Sequence, residues 1–230
     1  MDEREERGFK GFLSANSDSM VKLFVYHVAM CIFGLVVALA LEMVAAQIDG
    51  GTHLCLECDT YYEVSELLGE ELLCPNCQNE TSVKLSVATY VAGAFGAIVY
   101  LGLIYVCMWE KGAKDKIKID GGRLERNNFK GLLIWLVANS VIIFILLNIA
   151  ILSFIKGAEN VHGLLTIVGL YTNAMYYAFL WFFSYIDVTA LYLVVLIPGA
   201  LVASLSYYSG VKGDKCLFPE PKHEHNRMTR

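Results

Sequence analysis

The chain has 230 residues, of which 56% are hydrophobic and only 18% are charged, and its mean hydropathy is +0.50. Soluble globular domains are about 45–50% apolar and about 25% charged, so this composition excludes an ordinary soluble domain and a disordered chain. The net charge of −5 also excludes a nucleic-acid-binding domain that depends on overall positive charge. We therefore expect an integral membrane protein whose first partner is the lipid bilayer, with no nucleic-acid partner.

Long apolar segments recur along the chain and predict its architecture. About 20 apolar residues cross the roughly 30 Å hydrocarbon core of a bilayer as a helix, and no segment alternates with the period of a barrel strand. The sequence predicts an all-α, polytopic membrane helical bundle of about five hydrophobic helices. These helices cover residues 23–47, 87–109, 131–155, 164–185 and 188–210. The last of them either spans the membrane or forms a re-entrant segment.

The segments between these helices predict the orientation. Residues 1–22 form a hydrophilic N-terminal segment with four Lys or Arg, residues 110–130 form a basic loop with seven, and residues 211–230 form a basic tail with five. Because cytoplasmic loops are rich in Lys and Arg, we expect the N-terminus and the basic loop in the cytoplasm. The loop 48–84 then lies on the opposite side, and the side of the tail is left open.

The basic loop carries two further expectations. Its alternating segment around Asp120, Gly121 and Gly122 predicts a small hairpin. Its positive charges could bind anionic lipid headgroups, with each basic residue contributing about 1 kcal/mol to the binding free energy.

Four of the seven cysteines stand in two pairs with a regular spacing. Cys55 and Cys58 are followed, after fifteen residues, by Cys74 and Cys77, which gives the pattern C-x2-C-x15-C-x2-C. Two thiolates three residues apart on a tight turn can occupy two corners of a tetrahedron around a metal ion, and a second turn supplies the other two. The spacing is typical of a structural zinc site.

The segment CLEC…LLCPNC, with a hairpin between its halves, resembles a zinc ribbon with rubredoxin-like knuckles over about residues 53–82. The resemblance implies a small β module, inserted between the first two helices, that holds one structural zinc. The implied ligands are Cys55, Cys58, Cys74 and Cys77. Rubredoxin-type knuckles usually carry Gly after the second Cys, whereas Asp59 and Gln78 stand here. This departure favours zinc over a redox-active iron site.

The same two C-x-x-C pairs suit another chemistry. Outside the membrane they could be disulfides or the centre of a membrane thiol–disulfide oxidoreductase. Such oxidases usually spread their pairs over separate loops, whereas both pairs lie in one hairpin here. Zinc ribbons are mostly found in reducing compartments, although a bound metal would shield thiolates on the far side of the membrane. We favour zinc and keep the oxidoreductase as an alternative.

Few polar side chains fall inside the predicted spans. Ionisable groups in a span are candidates for function, and buried amides commonly hydrogen-bond between helices. The candidate intramembrane polar site comprises Glu42, Asn139 and Asn173. Asn139 and Asn173, together with the interruption of the last helix at Pro198, support a third hypothesis, a small-solute or ion carrier.

The sequence contains none of four common enzyme motifs, the P-loop, the dinucleotide fingerprint, H-E-x-x-H and G-x-S-x-G. We therefore expect a non-enzymatic membrane protein with a structural zinc ribbon, acting as an accessory, assembly or transport-associated subunit. The expected partners are another membrane protein, or anionic lipid at the basic loop.

Overall fold

The structure is a computed structural model that describes residues 8–49, 52–55, 58, 60–63, 66, 73–78, 82–83, 87–155, 157–177, 179–180, 183 and 189–217. Within these residues the chain is mostly helical. It divides into two compact units. Unit 1 contains the described parts of Met1–Tyr26, Leu101–Ile143 and Val195–Arg230, and unit 2 contains those of His27–Tyr100 and Phe144–Val194.

The helices follow the apolar segments, with different ends. The described α-helices are α1 Phe9–Asp49, α2 Val87–Asp120, α3 Lys130–Ala138, α4 Ser140–Leu152, α5 Glu159–Thr172 and α6 Leu196–Lys212. Two 3₁₀ helices, Ala174–Tyr176 and Thr189–Val195, lie between α5 and α6 in the chain.

Three of the described helices are long and apolar enough to cross a membrane: Phe9–Leu41, Thr89–Asp120 and Leu191–Lys212. Helices α3 and α4 meet the same criterion together but are bent by 72°, so they form either one broken span or a re-entrant loop. The described part of the chain thus has three such helices, or four if the bent pair is one span, against the five that hydropathy predicts. These helices indicate an integral membrane protein.

Two helices extend into segments that were expected to be loops. Helix α1 begins at Phe9, and α2 continues to Asp120 through half of the basic loop. The hairpin predicted around Asp120 is therefore wrong. Ion pairs between residues four apart, such as Lys116 with Asp120, stabilise a helix, which outweighs the local alternation of Lys and Ile.

The end of α2 explains why two glycines follow Asp120. Gly122 has a φ of 67°, a left-handed conformation that glycine adopts at low cost. The amide of Arg123 donates to the carbonyl of Lys118 at 2.8 Å, and the amide of Gly122 donates to that of Ile119 at 3.0 Å. This pair of hydrogen bonds is a Schellman motif, so the glycines end a helix.

The last three predicted spans are interrupted. Residues 131–155 divide into α3 and α4 at Asn139, and α5 ends at Thr172, well inside residues 164–185. The described part of the run 188–210 starts with the 3₁₀ helix Thr189–Val195 and becomes α-helical at Leu196. Pro198 is the third residue of α6, and the helix Leu191–Lys212 runs through it.

Glycines bring three helices of unit 1 into close contact. A Cβ atom at Gly131 of α3 would lie 2.5 Å from the Cβ of Tyr207 in α6, and one at Gly112 of α2 would overlap the carbonyl oxygen of Tyr207. A Cβ at Gly210 would overlap the carbonyl oxygen of Trp109. Small residues at these positions let the backbones of membrane helices approach closely.

A small sheet stands between α1 and α2 in the chain. Strands β1 Thr52–Cys55, β2 Thr60–Glu63 and β3 Ser82–Val83 pair antiparallel in the order β2-β1-β3. In the register, Cys55 pairs with Thr60, and His53 pairs with Tyr62 of β2 and Val83 of β3. This sheet in unit 2 places the end of β1 beside the second pair of cysteines.

Candidate metal centre

Four cysteine sulfurs lie together at the end of β1. The Sγ atoms of the two C-x-x-C pairs all lie within 4.8 Å of one another. Cys55 Sγ is 3.3 Å from Cys77 Sγ, and Cys74 Sγ is 3.9 Å from Cys58 Sγ. In a tetrahedral site with metal–sulfur distances of about 2.3 Å, the sulfurs are about 3.8 Å apart. The four cysteines could therefore hold one metal ion.

The cysteines also form the buried core of this module. Cys55, Cys74 and Tyr62 make up a buried apolar cluster, and Cys58 and Cys77 pack against it half-buried. A segment this small cannot build a sufficient hydrophobic core, and such segments rely on a metal or on disulfides to fold. A metal ion bound by these cysteines would therefore also stabilise the fold of the module.

Hydrogen bonds favour a thiolate at Cys74. Burial raises the pKa of this thiol, but the backbone amides of Cys77 and Asn76 and the hydroxyl of Tyr62 donate to its sulfur and lower the pKa to about 6. Asn76 Nδ2 in turn donates to the Tyr62 hydroxyl at 2.7 Å. The thiolate is the form that ligates a metal, and these hydrogen bonds favour that form at Cys74.

Cys58 has the opposite protonation preference. Its hydrogen bond to the sulfur of Cys77, together with burial, raises the pKa of the Cys58 thiol to about 12. Without a cation, sulfurs this close share protons because several adjacent thiolates repel one another. A metal ion would remove that repulsion and release the protons.

The residue after Cys77 has an uncommon backbone conformation. Gln78 has a φ of 59° and, among the described residues other than glycine, is the one with a positive φ. Its amide donates to the carbonyl of Cys74 at 2.9 Å, which closes the turn. This is the position at which the sequence departs from the Gly usual in rubredoxin-type knuckles, and its left-handed conformation is one that Gly adopts at low cost. The other departure, Asp59, lies outside the described residues.

Two of the three predicted polar residues end helices. Asn139 and Asn173 are buried, and each donates its side-chain Nδ2 to the carbonyl four residues earlier, Trp135 at 2.9 Å and Gly169 at 3.1 Å. These hydrogen bonds remain within one helix, whereas the sequence suggested bonds between helices. Asn139 belongs to unit 1 and Asn173 to unit 2. The side chain of Glu42 lies outside the described residues.

A buried polar cluster in unit 2 is not evident from the sequence. His27 is 3% exposed, with Nε2 2.8 Å from the Thr172 carbonyl oxygen and Nδ1 3.0 Å from the Tyr100 hydroxyl. Because a carbonyl can only accept, Nε2 carries the proton and Nδ1 accepts from Tyr100. The one sequence signal for this cluster is a histidine within an apolar run.

A buried carboxylate in unit 1 is also not evident from the sequence. Asp115 lies 3.0 Å from Lys130 Nζ and 3.3 Å from Lys111 Nζ, and it accepts a hydrogen bond from the Tyr207 hydroxyl at 3.0 Å. Two of the seven basic residues expected to face lipid headgroups are therefore paired with Asp115. In the same segment, Lys118 and Arg123 are exposed.

No protein-family model matches the chain, and no curated protein or solved structure matches it.

Proposed function

We propose that the chain is a non-enzymatic, multi-pass membrane protein in which a zinc ribbon holds one structural zinc ion. It would serve as an accessory, assembly or transport-associated subunit whose zinc ribbon presents a rigid surface to another membrane protein. The observation that carries the proposal is the approach of four cysteine sulfurs to within 4.8 Å of one another, in a chain with helices long and apolar enough to cross a membrane.

Zinc is the metal that this donor set suits best. Four sulfur donors in a tetrahedron are typical of zinc or of iron–sulfur chemistry, and the missing knuckle glycines favour zinc. A four-thiolate site has no open position for substrate, so it stabilises a fold and does not catalyse. In the described part of the chain, this is the one group of at least three His, Cys, Asp or Glu spaced to hold a metal.

The helix count supports a particular topology. If the bent pair α3–α4 is one crossing, then among the described helices α1, α2, α3–α4 and α6 make four, whereas α5 by itself, at about 21 Å, is too short to cross. With the N-terminus in the cytoplasm, four crossings put 16 of the 18 Lys and Arg on the cytoplasmic side, as the positive-inside rule favours. The basic tail is then cytoplasmic, and the zinc ribbon lies on the opposite side.

Metal analysis of the purified full-length protein tests the zinc site. We expect about one zinc per chain in the wild type and almost none in Cys74→Ser. Cys216→Ser, which alters a half-buried thiol of unit 1, should keep its zinc. A wild-type protein that is folded and metal-free would contradict the proposal.

Thiol alkylation separates zinc from the oxidoreductase alternative. If zinc protects the four thiols, a chelator should make them reactive without any reductant. If only a reductant exposes them, the pairs are disulfides and the oxidoreductase hypothesis replaces this one. The contacts of Cys55 with Cys77 and of Cys74 with Cys58 both join the two motifs, whereas redox C-x-x-C centres bond within one motif. This favours the first result.

Complex size tests the role as a subunit. Solubilised native membranes should contain the wild-type chain in a complex larger than the chain alone. Cys74→Ser should remain in the membrane but leave that complex, because the substitution leaves the apolar helical segments unchanged in sequence. Equal complex sizes for the two proteins would contradict a docking role and leave the metal site unaffected.

A further inference from the structure

Two sulfur atoms and an imidazole lie beside the break that follows α5. Cys31 Sγ is 3.7 Å from Met175 Sδ. Cys31 Sγ and His27 Nε2 each lie 2.8 Å from the same carbonyl oxygen, that of Thr172. His27 and Met175 are 3% and 1% exposed. His27 and the half-buried Cys31 therefore converge on one carbonyl oxygen of unit 2, and Met175 contacts Cys31 there.

A glycine of α1, Gly34, allows these side chains to come close together. His27 and Cys31 are four residues apart on α1 and so lie on the same face of that helix. Met175 belongs to the 3₁₀ helix Ala174–Tyr176. A Cβ atom at Gly34 would lie 2.6 Å from the carbonyl carbon of Ala174, so glycine at position 34 is what allows α1 to approach the 3₁₀ helix and Cys31 to meet Met175.

We propose that Cys31, Met175 and His27 form a second metal site, independent of the four-cysteine cluster, that binds Cu(I). Thiolate and thioether are soft ligands that select Cu(I), and imidazole also suits copper. The charge supports this choice. One thiolate and Cu(I) together are neutral, whereas Zn²⁺ with one thiolate would leave a net positive charge among apolar helices, which is costly.

Binding requires a defined movement of protons. The Cys31 thiol loses its proton to solvent as the thiolate bonds to the ion. In the metal-free state His27 Nε2 holds the ring proton and donates it to Thr172, so the proton must move to Nδ1 before Nε2 can ligate. At Nδ1 it is donated to the Tyr100 hydroxyl, which can accept as well as donate. Tyr100 then orients the ligating imidazole as an outer-shell partner.

The structure also provides room beside the site. A small cavity in unit 2 is lined by residues of α1, α2 and the 3₁₀ helix, among them Phe33, Gly34, Gly93, Gly96 and Met175. Met175 borders this space, so its flexible side chain has room to change conformation.

Copper titration of the full-length, zinc-loaded protein in detergent tests the proposal. Cu(I) is titrated in the presence of a chromophoric Cu(I) chelator, and the copper retained per chain is measured for the wild type, Cys31→Ser, Met175→Leu and Cys107→Ser. Cys107 is a buried thiol of unit 1 and serves as the matched control. The four-cysteine cluster is unchanged in all four proteins, so any copper that it takes contributes equally.

We expect Cys31→Ser and Met175→Leu each to retain one Cu(I) fewer than the wild type, and Cys107→Ser to match the wild type. Zinc content before the titration should be the same in all four. Met175→Leu nearly conserves volume, so it decides the question if Cys31→Ser does not fold. Equal copper retention by the wild type and Met175→Leu, or an equal loss in Cys107→Ser, would overturn the proposal.

Discussion

Lys130 Nζ lies 3.0 Å from Asp115 Oδ2, and the two side chains are 4% and 0% exposed. The pair joins α3 to α2, and Tyr207 of α6 donates to the same carboxylate oxygen. Lys111, one turn before Asp115 on α2, lies 3.3 Å from the other oxygen. One carboxylate thus connects three helices of unit 1, and its charge compensates two buried or nearly buried lysines.

Replacing Asp115 by Asn should destabilise unit 1 strongly. Removing one partner of a buried ion pair leaves an uncompensated buried charge and costs about 3–5 kcal/mol. We expect a large fall in the thermal unfolding temperature of the detergent-solubilised protein. Asp120→Asn removes the exposed partner of Lys116 and should change the free energy of unfolding by less than about 1 kcal/mol. Similar losses in both variants would contradict this role of Asp115.

Replacing Gly112 by Ala should weaken the contact between α2 and α6. The added methyl group would overlap the backbone of Tyr207, which cannot move as a flexible side chain can. Gly163→Ala on α5 is the matched control, because a Cβ there meets nothing within 4 Å. It should raise the free energy of unfolding by about 0.5–1 kcal/mol, the usual gain from Gly to Ala in a helix. Thermal unfolding of both variants measures the difference, and a stabilised Gly112→Ala would disprove the close packing.

Replacing Gln78 by Gly should strengthen the candidate zinc site. A side chain in the left-handed region costs roughly 1–2 kcal/mol, and glycine removes that cost, although it adds freedom to the unfolded turn. We expect the variant to lose zinc to a competing chelator less readily than the wild type. Thr60→Gly, in strand β2, should lose it more readily because glycine weakens strands. A Gln78→Gly protein that releases zinc faster than the wild type would show that the turn does not need this conformation.

The sequence predicts best what depends on local spacing. The clustering of Cys55, Cys58, Cys74 and Cys77 follows from two short motifs, and three of the five apolar runs correspond to described helices that can cross a membrane. In both cases the signal lies within a few turns of chain, so no knowledge of distant contacts is needed.

The sequence predicts poorly what depends on distant partners or on helix ends. Hydropathy cannot detect the breaks at Asn139 and Thr172, because the residues on both sides are equally apolar. Asp115 looks like one acid in a basic loop, since its burial depends on α3 and α6. His27 contacts Tyr100 and Thr172, which are 73 and 145 residues away in the chain. A single sequence carries no signal of such contacts.

Native mass spectrometry of the intact, purified chain tests the central claim most directly. We predict a species heavier than the bare polypeptide by one zinc ion, which disappears in Cys74→Ser. A chain without metal whose mass is lower by four hydrogens, as two disulfides among the four cysteines require, would contradict the account.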